Sequence, residues 1–337
     1  MKIVRTDAEL YLPTLDDRLR AEGHEVVLLP DGVSEDDLVR ATVDADILLM
    51  CYTSITRRVI EKAANLRGIV KYGVGIDAID IPVAREFGVP VVNVPEYGEN
   101  TVAEGAFLLM LALLRKLPAI SATMQSTGWS WPEDRWLGRD VAGLTVGIVG
   151  LGRIGRSFAR MAGAGFGAHV IAYDPHQPGN VFEEAGVERA ADLHEMLARS
   201  DAVSLHTVLT PDTHHLIGAR ELSAMKRHAV LINVSRGALI DEQALIRALD
   251  EGQIAGAGLD VYSTEPLALT DHPLSLLFGR DNVILLPHLT FWTHQAMQRL
   301  EEDTYARIQE LIEGRPVTVR SRDPRPVSYT HLRAHET

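Results

Sequence analysis

Short apolar runs alternate along the chain with stretches in which apolar residues recur every three or four positions. The runs are typical of strands buried inside a sheet, and the recurring pattern is typical of helices that cover such a sheet. In the first hundred residues the runs predict strands at residues 2–5, 26–29, 47–51, 68–71 and 91–94. This alternation of strand and helix predicts an α/β fold built on a parallel sheet.

A second series of strands follows a long helix that we predict from about Thr101 to Leu117. The series consists of apolar runs at residues 145–149, 170–174, 202–206, 230–234, 256–261 and 283–286. Six strands are expected of a doubly wound dinucleotide-binding fold. After Pro287 the pattern is helical again from Thr293 to Glu313, and we expect this last helix to return to the first domain.

Size, composition and charge exclude several classes of protein. The chain has 337 residues, enough for two hydrophobic cores, and its longest apolar run, residues 106–114, is shorter than the ~20 residues that cross a bilayer. Its net charge of −13 would repel nucleic acids and anionic membrane surfaces. Its one cysteine, Cys51, cannot form an internal disulfide, and the first residues lack a secretory pattern. We therefore expect a cytoplasmic protein without nucleic-acid or membrane partners.

The last residues, 321–337, follow a break rich in arginine and proline and show no periodic pattern. From Val327 on they resemble a translated cloning or adapter sequence. We therefore expect a disordered or non-native tail and assign it no function.

A glycine-rich turn, residues 150–155, follows the predicted strand at 145–149 and opens a helix. In a dinucleotide-binding fold, Gly150 would permit the tight turn and Gly152 would let the backbone approach a pyrophosphate. Gly155 would allow close packing of the helix, whose N-terminal N–H groups would bind the anion. Ordinary α/β proteins also contain glycine-rich turns, so this pattern alone is a weak signal.

Asp174 strengthens the dinucleotide interpretation. It ends the predicted strand at residues 170–174, about 20 residues after the glycine-rich turn, where an acidic side chain accepts hydrogen bonds from an adenosine ribose. A carboxylate at this position repels a ribose 2′-phosphate. The sequence therefore predicts NAD as the cofactor rather than NADP.

Arg236, Glu265 and His288 each follow a different predicted strand of the second series. Because the carboxyl ends of parallel strands meet at one edge of a sheet, we expect these side chains to lie near each other. Reduction of a 2-oxo acid needs a proton donor, a cation for the substrate carboxylate and an anion that favours the charged donor. His288, Arg236 and Glu265 would supply these groups, although the pattern alone leaves the alternative of three unrelated polar residues open.

The motifs around these residues resemble those of the D-isomer-specific 2-hydroxyacid dehydrogenases over about residues 45–315. The motifs are residues 73–77, 205–211, 233–237, 258–262 with 265–266, and 287–288. The resemblance implies a Rossmann NAD-binding domain with a doubly wound parallel sheet, at residues 101–287. This domain would be inserted into a flavodoxin-like substrate domain formed by residues 1–100 and 288–320, with the active site in the cleft between the two.

The resemblance also assigns roles to individual residues. His288 would protonate the substrate carbonyl oxygen, Glu265 would keep His288 charged, and Arg236 would orient the substrate. The backbone N–H groups of Val74 and Gly75 would bind the substrate carboxylate. The implied cofactor contacts are Gly150, Gly152, Arg153, Ile154, Gly155, Asp174, Thr207, Val234, Ser235, Arg236, Asp260 and His288. No metal site is predicted.

Departures from the family patterns narrow the substrate without identifying it. The loop at residues 50–54 lacks the arginine that phosphoglycerate dehydrogenases use for phosphate, and formate dehydrogenases carry glutamine in place of Glu265. Phe291-Trp292 resembles an aromatic pair of D-lactate dehydrogenase-like members, whereas Lys71-Tyr72 fits the glyoxylate, hydroxypyruvate and phosphoglycerate branches better. The two signals disagree, so the sequence predicts only a small 2-oxo or 2-hydroxy acid.

Two further functions stay open beside this one. Some relatives use the same fold as NAD-sensing corepressors, which do not need all three of Arg236, Glu265 and His288. The second alternative is a dehydrogenase that oxidises phosphite or a phosphonate. Steady-state assays distinguish these functions from the reduction of 2-oxo acids.

Trp129, Trp131 and Trp136 lie in a connector that has no periodic element for large rings to pack into. Exposed aromatic clusters often mark protein interfaces. The family resemblance points the same way, because its members commonly dimerise through their cofactor domains. We therefore expect a two-fold homodimer that buries the segment at residues 128–137.

Overall fold

The computed structural model describes residues 1–10 and 12–316 of the chain. Two parallel sheets, each accompanied by helices, form its framework, which confirms the predicted α/β class. The predicted tail at residues 321–337 and the end of the predicted substrate domain, residues 317–320, lie outside the described residues.

The chain divides into two units. Met1–Gly98 forms the first unit together with the described residues from Thr293 on, and Glu99–Trp292 forms the second unit. The sequence predicts a boundary just before His288, but the structure assigns His288 to the second unit. The cause is local, because the backbone after His288 donates hydrogen bonds to Asp260 of the same unit.

The first unit contains five parallel strands, each of three or four residues. The strands are β1 (Lys2–Arg5), β2 (Glu25–Leu28), β3 (Ile47–Met50), β4 (Gly68–Lys71) and β5 (Val91–Asn93). Their order in the sheet is β2-β1-β3-β4-β5, which is the flavodoxin-like order. The helices between them are α1 (Pro13–Ala21), α2 (Glu35–Thr42), α3 (Arg57–Lys62) and α4 (Ile81–Glu86). The buried side chains of Val4, Leu48 and Ile69 bring three strands into one core.

The second unit is a doubly wound parallel sheet. Its strands are β6 (Thr145–Val149), β7 (His169–Tyr173), β8 (Glu188–Arg189), β9 (Ala202–Leu205), β10 (Val230–Asn233), β11 (Gly256–Leu259) and β12 (Val283–Leu285). Their order is β12-β11-β10-β9-β6-β7-β8, so the strand order reverses between β6 and β9. Open α/β sheets bind their ligands at the carboxyl ends of the strands beside such a reversal.

The sequence predicts six strands in this unit, and the described residues form seven. The additional strand, β8, consists of Glu188 and Arg189, which pair with Ile171 and Ala172 of β7 at the edge of the sheet. Both residues of β8 are exposed and charged, so no apolar run marks them in the sequence. Charged side chains are typical of edge strands, because they discourage pairing with other chains.

Helices cover this sheet. They are α5 (Glu99–Leu114), α6 (Leu117–Thr127), α7 (Arg153–Arg160), α8 (Gly179–Ala185), α9 (Leu193–Arg199), α10 (Ala219–Ala224) and α11 (Glu242–Asp250). Buried apolar side chains form two clusters, one that includes Leu193, Leu231 and Leu245 and another that includes Phe107 and Phe158.

The prediction of one helix from Thr101 to Leu117 is wrong at its end, because the chain breaks between α5 and α6. Lys116 adopts a left-handed backbone conformation with a φ of 53°, and Pro118 lies in the first turn of α6, where proline is well tolerated. Within the described part of the chain, no single helix is long and apolar enough to cross a membrane. The pair α5 and α6, bent by 62°, reaches the required length and apolar composition only when the two helices are taken together.

The last helix, α12 (His294–Ile312), packs against the first unit. It begins with Thr293, whose Oγ1 accepts a hydrogen bond from the N–H of Ala296. At its other end, Leu311 lies so close to β4 that a Cβ atom on Gly68 would stand 2.8 Å from the Leu311 methyl carbons.

Candidate active site

The ends of β11 and β12 bring a histidine and a glutamate together. His288 Nδ1 lies 2.8 Å from Glu265 Oε2, and the two side chains are 25% and 31% exposed. The second oxygen of Glu265 accepts a hydrogen bond of 3.0 Å from the N–H of Tyr262. One carboxylate oxygen is therefore held by the backbone of its own turn while the other faces the imidazole.

The electrostatic surroundings keep Glu265 ionised. Partial burial would raise the pKa of Glu265, but the hydrogen bond and charge of His288, the Tyr262 N–H and the charge of Arg236 together lower it. Because Arg236 takes part in this balance, the structure brings the three predicted groups into one electrostatic environment.

Asp260 holds the backbone that carries His288. The buried carboxylate accepts hydrogen bonds from the N–H groups of Leu289 and Thr290, at 2.8 and 2.9 Å, and from the Thr290 hydroxyl. The sequence assigns Asp260 to the cofactor. In the structure, both of its oxygens bind the turn after His288. His288 itself adopts a left-handed conformation with a φ of 58°. That Asp260 contacts the cofactor stays a prediction.

Arg236 follows β10 in a turn held by side chains. Asn233 Nδ2 donates to the Arg236 carbonyl oxygen at 2.8 Å, and Asn233 Oδ1 accepts from the N–H of Ser235 at 3.0 Å. The Ser235 hydroxyl donates to the carbonyl oxygen of Leu205, on the neighbouring strand β9. These bonds fix the course of residues 234–236, which the sequence assigns to the cofactor and the substrate.

The glycine-rich turn has the features that a dinucleotide needs. Gly150 has a φ of 94°, and a Cβ atom there would lie 2.6 Å from the His206 carbonyl oxygen. A Cβ atom on Gly155 would lie 2.2 Å from the Gly150 carbonyl oxygen, so both positions require glycine for the protein's own packing. Gly152 differs, because a Cβ atom there would meet none of the described atoms within 4 Å. A ligand can therefore approach the backbone at Gly152.

The helix that follows this turn begins close to the glycines. Its first residue is Arg153, and the N-cap residue, Gly152, has no side chain of its own that could cap α7. Unsatisfied N–H groups at the N-terminus of a helix bind phosphate groups. The residues present thus fit the pyrophosphate of NAD.

Asp174 lies directly after β7 and contacts the glycine-rich turn. Its Oδ2 accepts a hydrogen bond of 2.8 Å from the N–H of Leu151, and its Oδ1 accepts one of 3.0 Å from the N–H of His176. Each carboxylate oxygen can accept a further bond, so these contacts are compatible with the predicted ribose. They also give Asp174 a second task, because it holds the glycine-rich turn.

His206, which lies in the motif at residues 205–211 but is not among the predicted site residues, contacts the glycine-rich turn in the structure. His206 Nε2 lies 2.9 Å from the Ser204 hydroxyl, and the ring packs on Phe158 at 5.0 Å between centroids. Burial lowers the pKa of His206 to about 3, and its buried Nδ1 has no partner among the described residues. The position of His206 just before Thr207, at the end of β9, is the sequence signal that points to it.

The first unit contains the other predicted substrate contacts. Val74 and Gly75 lie in the loop after β4, and the Val74 carbonyl oxygen accepts a hydrogen bond from Asn93. Lys71, at the end of β4, donates to the carbonyl oxygen of Cys51 and lies 3.2 Å from its Sγ. That the Val74 and Gly75 N–H groups bind a carboxylate stays a prediction.

Within the described residues, no three His, Cys, Asp or Glu side chains are arranged to hold a metal ion.

Comparison with known proteins gives consistent matches. The family model "D-isomer specific 2-hydroxyacid dehydrogenase, NAD binding domain" matches residues 107–290. The chain is 40% identical over 284 residues to D-3-phosphoglycerate dehydrogenase of Methanocaldococcus jannaschii, covering 84% of this chain but only 53% of that relative. It is 40% identical over 268 residues to glyoxylate reductase of Korarchaeum cryptofilum, covering 79% of each.

A solved structure agrees with these matches. The crystal structure of D-lactate dehydrogenase from Aquifex aeolicus, complexed with NAD and lactic acid, superposes with a TM-score of 0.82 at 30% identity. The superposition covers 93% of this chain and 96% of that one. With a family model that matches more than half of its residues, the chain belongs to the D-isomer-specific 2-hydroxyacid dehydrogenase family.

Proposed function

We propose that the protein reduces a small 2-oxo acid to the D-2-hydroxy acid with NADH, and catalyses the reverse reaction. The observation that carries this proposal is the pair of His288 and Glu265, 2.8 Å apart, with the charge of Arg236 acting on the same carboxylate. When bound, NADH supplies the hydride. The proton comes from the protein.

His288 is the proton donor in this proposal. Its Nδ1 faces Glu265, so Nε2 is the nitrogen that gives its proton to the substrate carbonyl oxygen. Glu265 carries the negative charge that favours the imidazolium form. In the reverse direction the same Nε2 accepts the proton of the hydroxyl group.

Arg236 orients the substrate. Its guanidinium group can bind a carboxylate with two parallel hydrogen bonds, which a lysine could not do in the same geometry. The Asn233 and Ser235 hydrogen bonds that fix its backbone limit the positions that this side chain can reach. A 2-oxo acid has a carboxylate beside the reacting carbonyl. It suits a cation and a proton donor at the ends of β10 and β12, which both pair with β11.

We propose NAD rather than NADP as the preferred cofactor. The support is the Asp174 carboxylate, which lies against the glycine-rich turn at the end of β7. A ribose 2′-phosphate would bring a second anion towards this carboxylate.

We further propose a two-fold homodimer in the cytoplasm. Trp129 and Trp131 are 63% and 74% exposed, pack edge to face, and are accompanied by Leu137 at 69% exposure. Such exposed rings support an interface. Trp136 differs from the sequence expectation, because its Nε1 donates to Ser130 within the chain. The single cysteine, buried and free, supports a reducing compartment.

Steady-state oxidation of NADH tests the proposed activity. The panel comprises glyoxylate, hydroxypyruvate, pyruvate and 3-phosphohydroxypyruvate, with phosphite plus NAD as a separate assay. Turnover of at least one of the 2-oxo acids is expected, and analysis of the product should show the D-enantiomer where a stereocentre forms. Oxidation of phosphite without any 2-oxo acid reduction would overturn the proposal, as would binding of NADH without turnover of any compound.

A further inference from the structure

The turn that carries Arg236 and the turn that carries Glu265 lie directly against each other. A Cβ atom on Gly237 would stand 1.9 Å from the carbonyl carbon of Tyr262 and 2.2 Å from the nitrogen of Ser263. Only glycine allows such a close approach of two backbones. The two turns therefore share a backbone contact three residues before Glu265.

Glu242, five residues after Gly237, contacts the same turn. It is the first residue of α11 and is 8% exposed. Its Oε1 accepts a hydrogen bond of 2.7 Å from the N–H of Ser263, and its Oε2 accepts one of 2.6 Å from the Ser263 hydroxyl. Both oxygens of a buried carboxylate are thus directed at one residue, which offsets the cost of burying its charge.

Glu242 is not needed to cap its own helix. Asp241 precedes it, and Asp241 Oδ1 accepts the N–H of Ala244 at 3.0 Å, which is the usual capping bond. The side chain of Glu242 instead reaches away from α11, to the turn after β11. Its contacts therefore point to a task in that turn rather than in the helix.

Two contacts connect the turn that Glu242 binds to the imidazole of His288. The N–H of Tyr262, next to Ser263, donates to Glu265 Oε1, and Glu265 Oε2 faces His288. Residues 263–266 are exposed, so neighbouring side chains cover this turn little. Besides the bonds from Glu242 to Ser263, the middle of this turn has a contact to His272, whose Nε2 lies 3.1 Å from the Thr264 carbonyl oxygen.

We propose that Glu242 is a positioning residue that, through Ser263, holds the Glu265 carboxylate in place against His288. The inference rests on the proposed function, in which Glu265 keeps His288 charged. Glu242 touches neither substrate nor reacting atoms, so it acts only through the turn. The arrangement ties the Arg236 turn and the Glu265 turn into one support for the proton donor.

Substitution of Glu242 provides the first test. Glu242→Ala removes both bonds to Ser263 and should lower kcat about tenfold to a hundredfold, as small misplacements of catalytic groups do, with the Kd of NADH changed less than about threefold. Glu242→Gln keeps an oxygen for the Ser263 N–H and an amide that can donate to its hydroxyl. This conservative variant should restore most of kcat. Glu251→Ala is the matched control, because Glu251 is exposed directly after the same helix and its carboxylate accepts a hydrogen bond from the Gln253 side chain.

A double-mutant cycle separates positioning from a general loss of structure. If Glu242 acts through Glu265, Glu242→Ala should lower kcat little further once Glu265→Gln is present. The proposal would be overturned if Glu242→Ala lowered kcat by the same factor with and without Glu265→Gln, because such a loss would not depend on Glu265. Failure of Glu242→Gln to restore kcat would also overturn it.

Residue-resolved amide hydrogen exchange tests the same proposal without turnover. Glu242→Ala should speed exchange at Ser263, which loses its acceptor, and also at Tyr262, whose N–H donates to Glu265. Glu242→Gln and Glu251→Ala should leave both rates near those of the unsubstituted protein. An unchanged Tyr262 rate in Glu242→Ala would overturn the proposal. A protein that reduces no 2-oxo acid but shows the expected exchange pattern would contradict the proposed function while supporting the positioning contact.

Discussion

His288 is held by contacts on both its side chain and its backbone. The ring meets Glu265, and the next two N–H groups bind Asp260. These bonds stabilise a left-handed conformation that a residue with a side chain seldom adopts. Uncommon backbone geometry of this kind is frequent at functional sites, where the surrounding structure maintains it.

Replacement of His288 should abolish proton donation without removing the cofactor site. His288→Asn is expected to lower kcat for 2-oxo acid reduction about 100-fold or more, the usual range for a lost general acid. NADH binding, measured by fluorescence titration, should remain largely intact. His169→Asn, which breaks an exposed His–Glu pair of similar length with Glu188, serves as the control. Near-normal turnover in His288→Asn would exclude His288 as the donor.

Replacement of Glu265 should change the pH dependence in a defined direction. Partial burial opposes ionisation of Glu265, but the His288 bond and charge outweigh it and lower the pKa of the carboxyl. The carboxylate therefore stays charged as the pH falls through about 4.3, where a free glutamate takes up its proton. Its ionic contribution to stability is present above that value and is lost only as the pH falls through the lower folded-state pKa.

In Glu265→Gln this anion is absent at every pH, so the charged imidazole of His288 is less favoured. The alkaline limb of the kcat/KM profile for 2-oxo acid reduction should move to lower pH. The same profile for Glu188→Gln, which removes the exposed partner of His169, should keep its limb in place. An unmoved limb in Glu265→Gln, or one shifted to higher pH, would show that Glu265 does not act on the proton donor.

At the scale of elements, the glycine-rich turn combines two different uses of glycine. Gly155 is required by the fold, since a Cβ atom there would lie 2.2 Å from the Gly150 carbonyl oxygen. Gly152 faces open space. The packing of the strand and helix therefore does not require glycine at this position, and we propose that glycine there serves the bound dinucleotide.

Two alanine substitutions separate these uses. Gly152→Ala should lower the free energy of unfolding by less than about 1 kcal/mol, while raising the Kd of NADH about tenfold or more because the new methyl group occupies the path of the pyrophosphate. Gly155→Ala should lower the melting temperature measurably. Calorimetry with fluorescence titration measures both quantities. An unchanged Kd of NADH in Gly152→Ala would contradict the approach of the pyrophosphate to the backbone at Gly152.

Asp174 connects β7 to the same turn, and two variants separate its charge from its hydrogen bond. Asp174→Asn keeps an oxygen for the Leu151 N–H and should mainly narrow the preference for NADH over NADPH. Asp174→Ala also frees that N–H and should weaken NADH binding further. The comparison uses kcat/KM for both cofactors. Equal kcat/KM values for NADH and NADPH in the unsubstituted protein would contradict the proposal that Asp174 makes NAD the preferred cofactor.

At the scale of the whole molecule, the proposed homodimer would bury the arm at residues 128–137. Light scattering coupled to gel filtration should give twice the 37.0 kDa mass of the chain at micromolar concentration. Joint substitution of Trp129 and Trp131 by alanine should shift the mass towards the monomer. Leu269→Ala, at an equally exposed apolar side chain outside the arm, should not. A monomeric unsubstituted protein would contradict the dimer, and a dimer unaffected by the double substitution would exclude the arm.

Much of the architecture follows from the sequence pattern, because strands buried in a parallel sheet are recognisable as short apolar runs. The same pattern places Arg236, Glu265 and His288 at one sheet edge, since each follows a strand and parallel strands end together. It fails where local signals are weak. The charged strand β8 has no apolar run, and the break at Lys116 depends on one left-handed residue.

By itself, the sequence determined the α/β class, the glycine-rich turn and the three candidate catalytic residues, because these depend on local periodicity and on motifs of neighbouring residues. Only the tertiary structure decided that Asp260 holds the turn after His288 and that Glu242 binds Ser263. These are hydrogen bonds between residues that lie far apart in the chain. Their geometry depends on how strands and helices pack, and the hydrophobic pattern, which records burial, does not specify which buried polar groups pair.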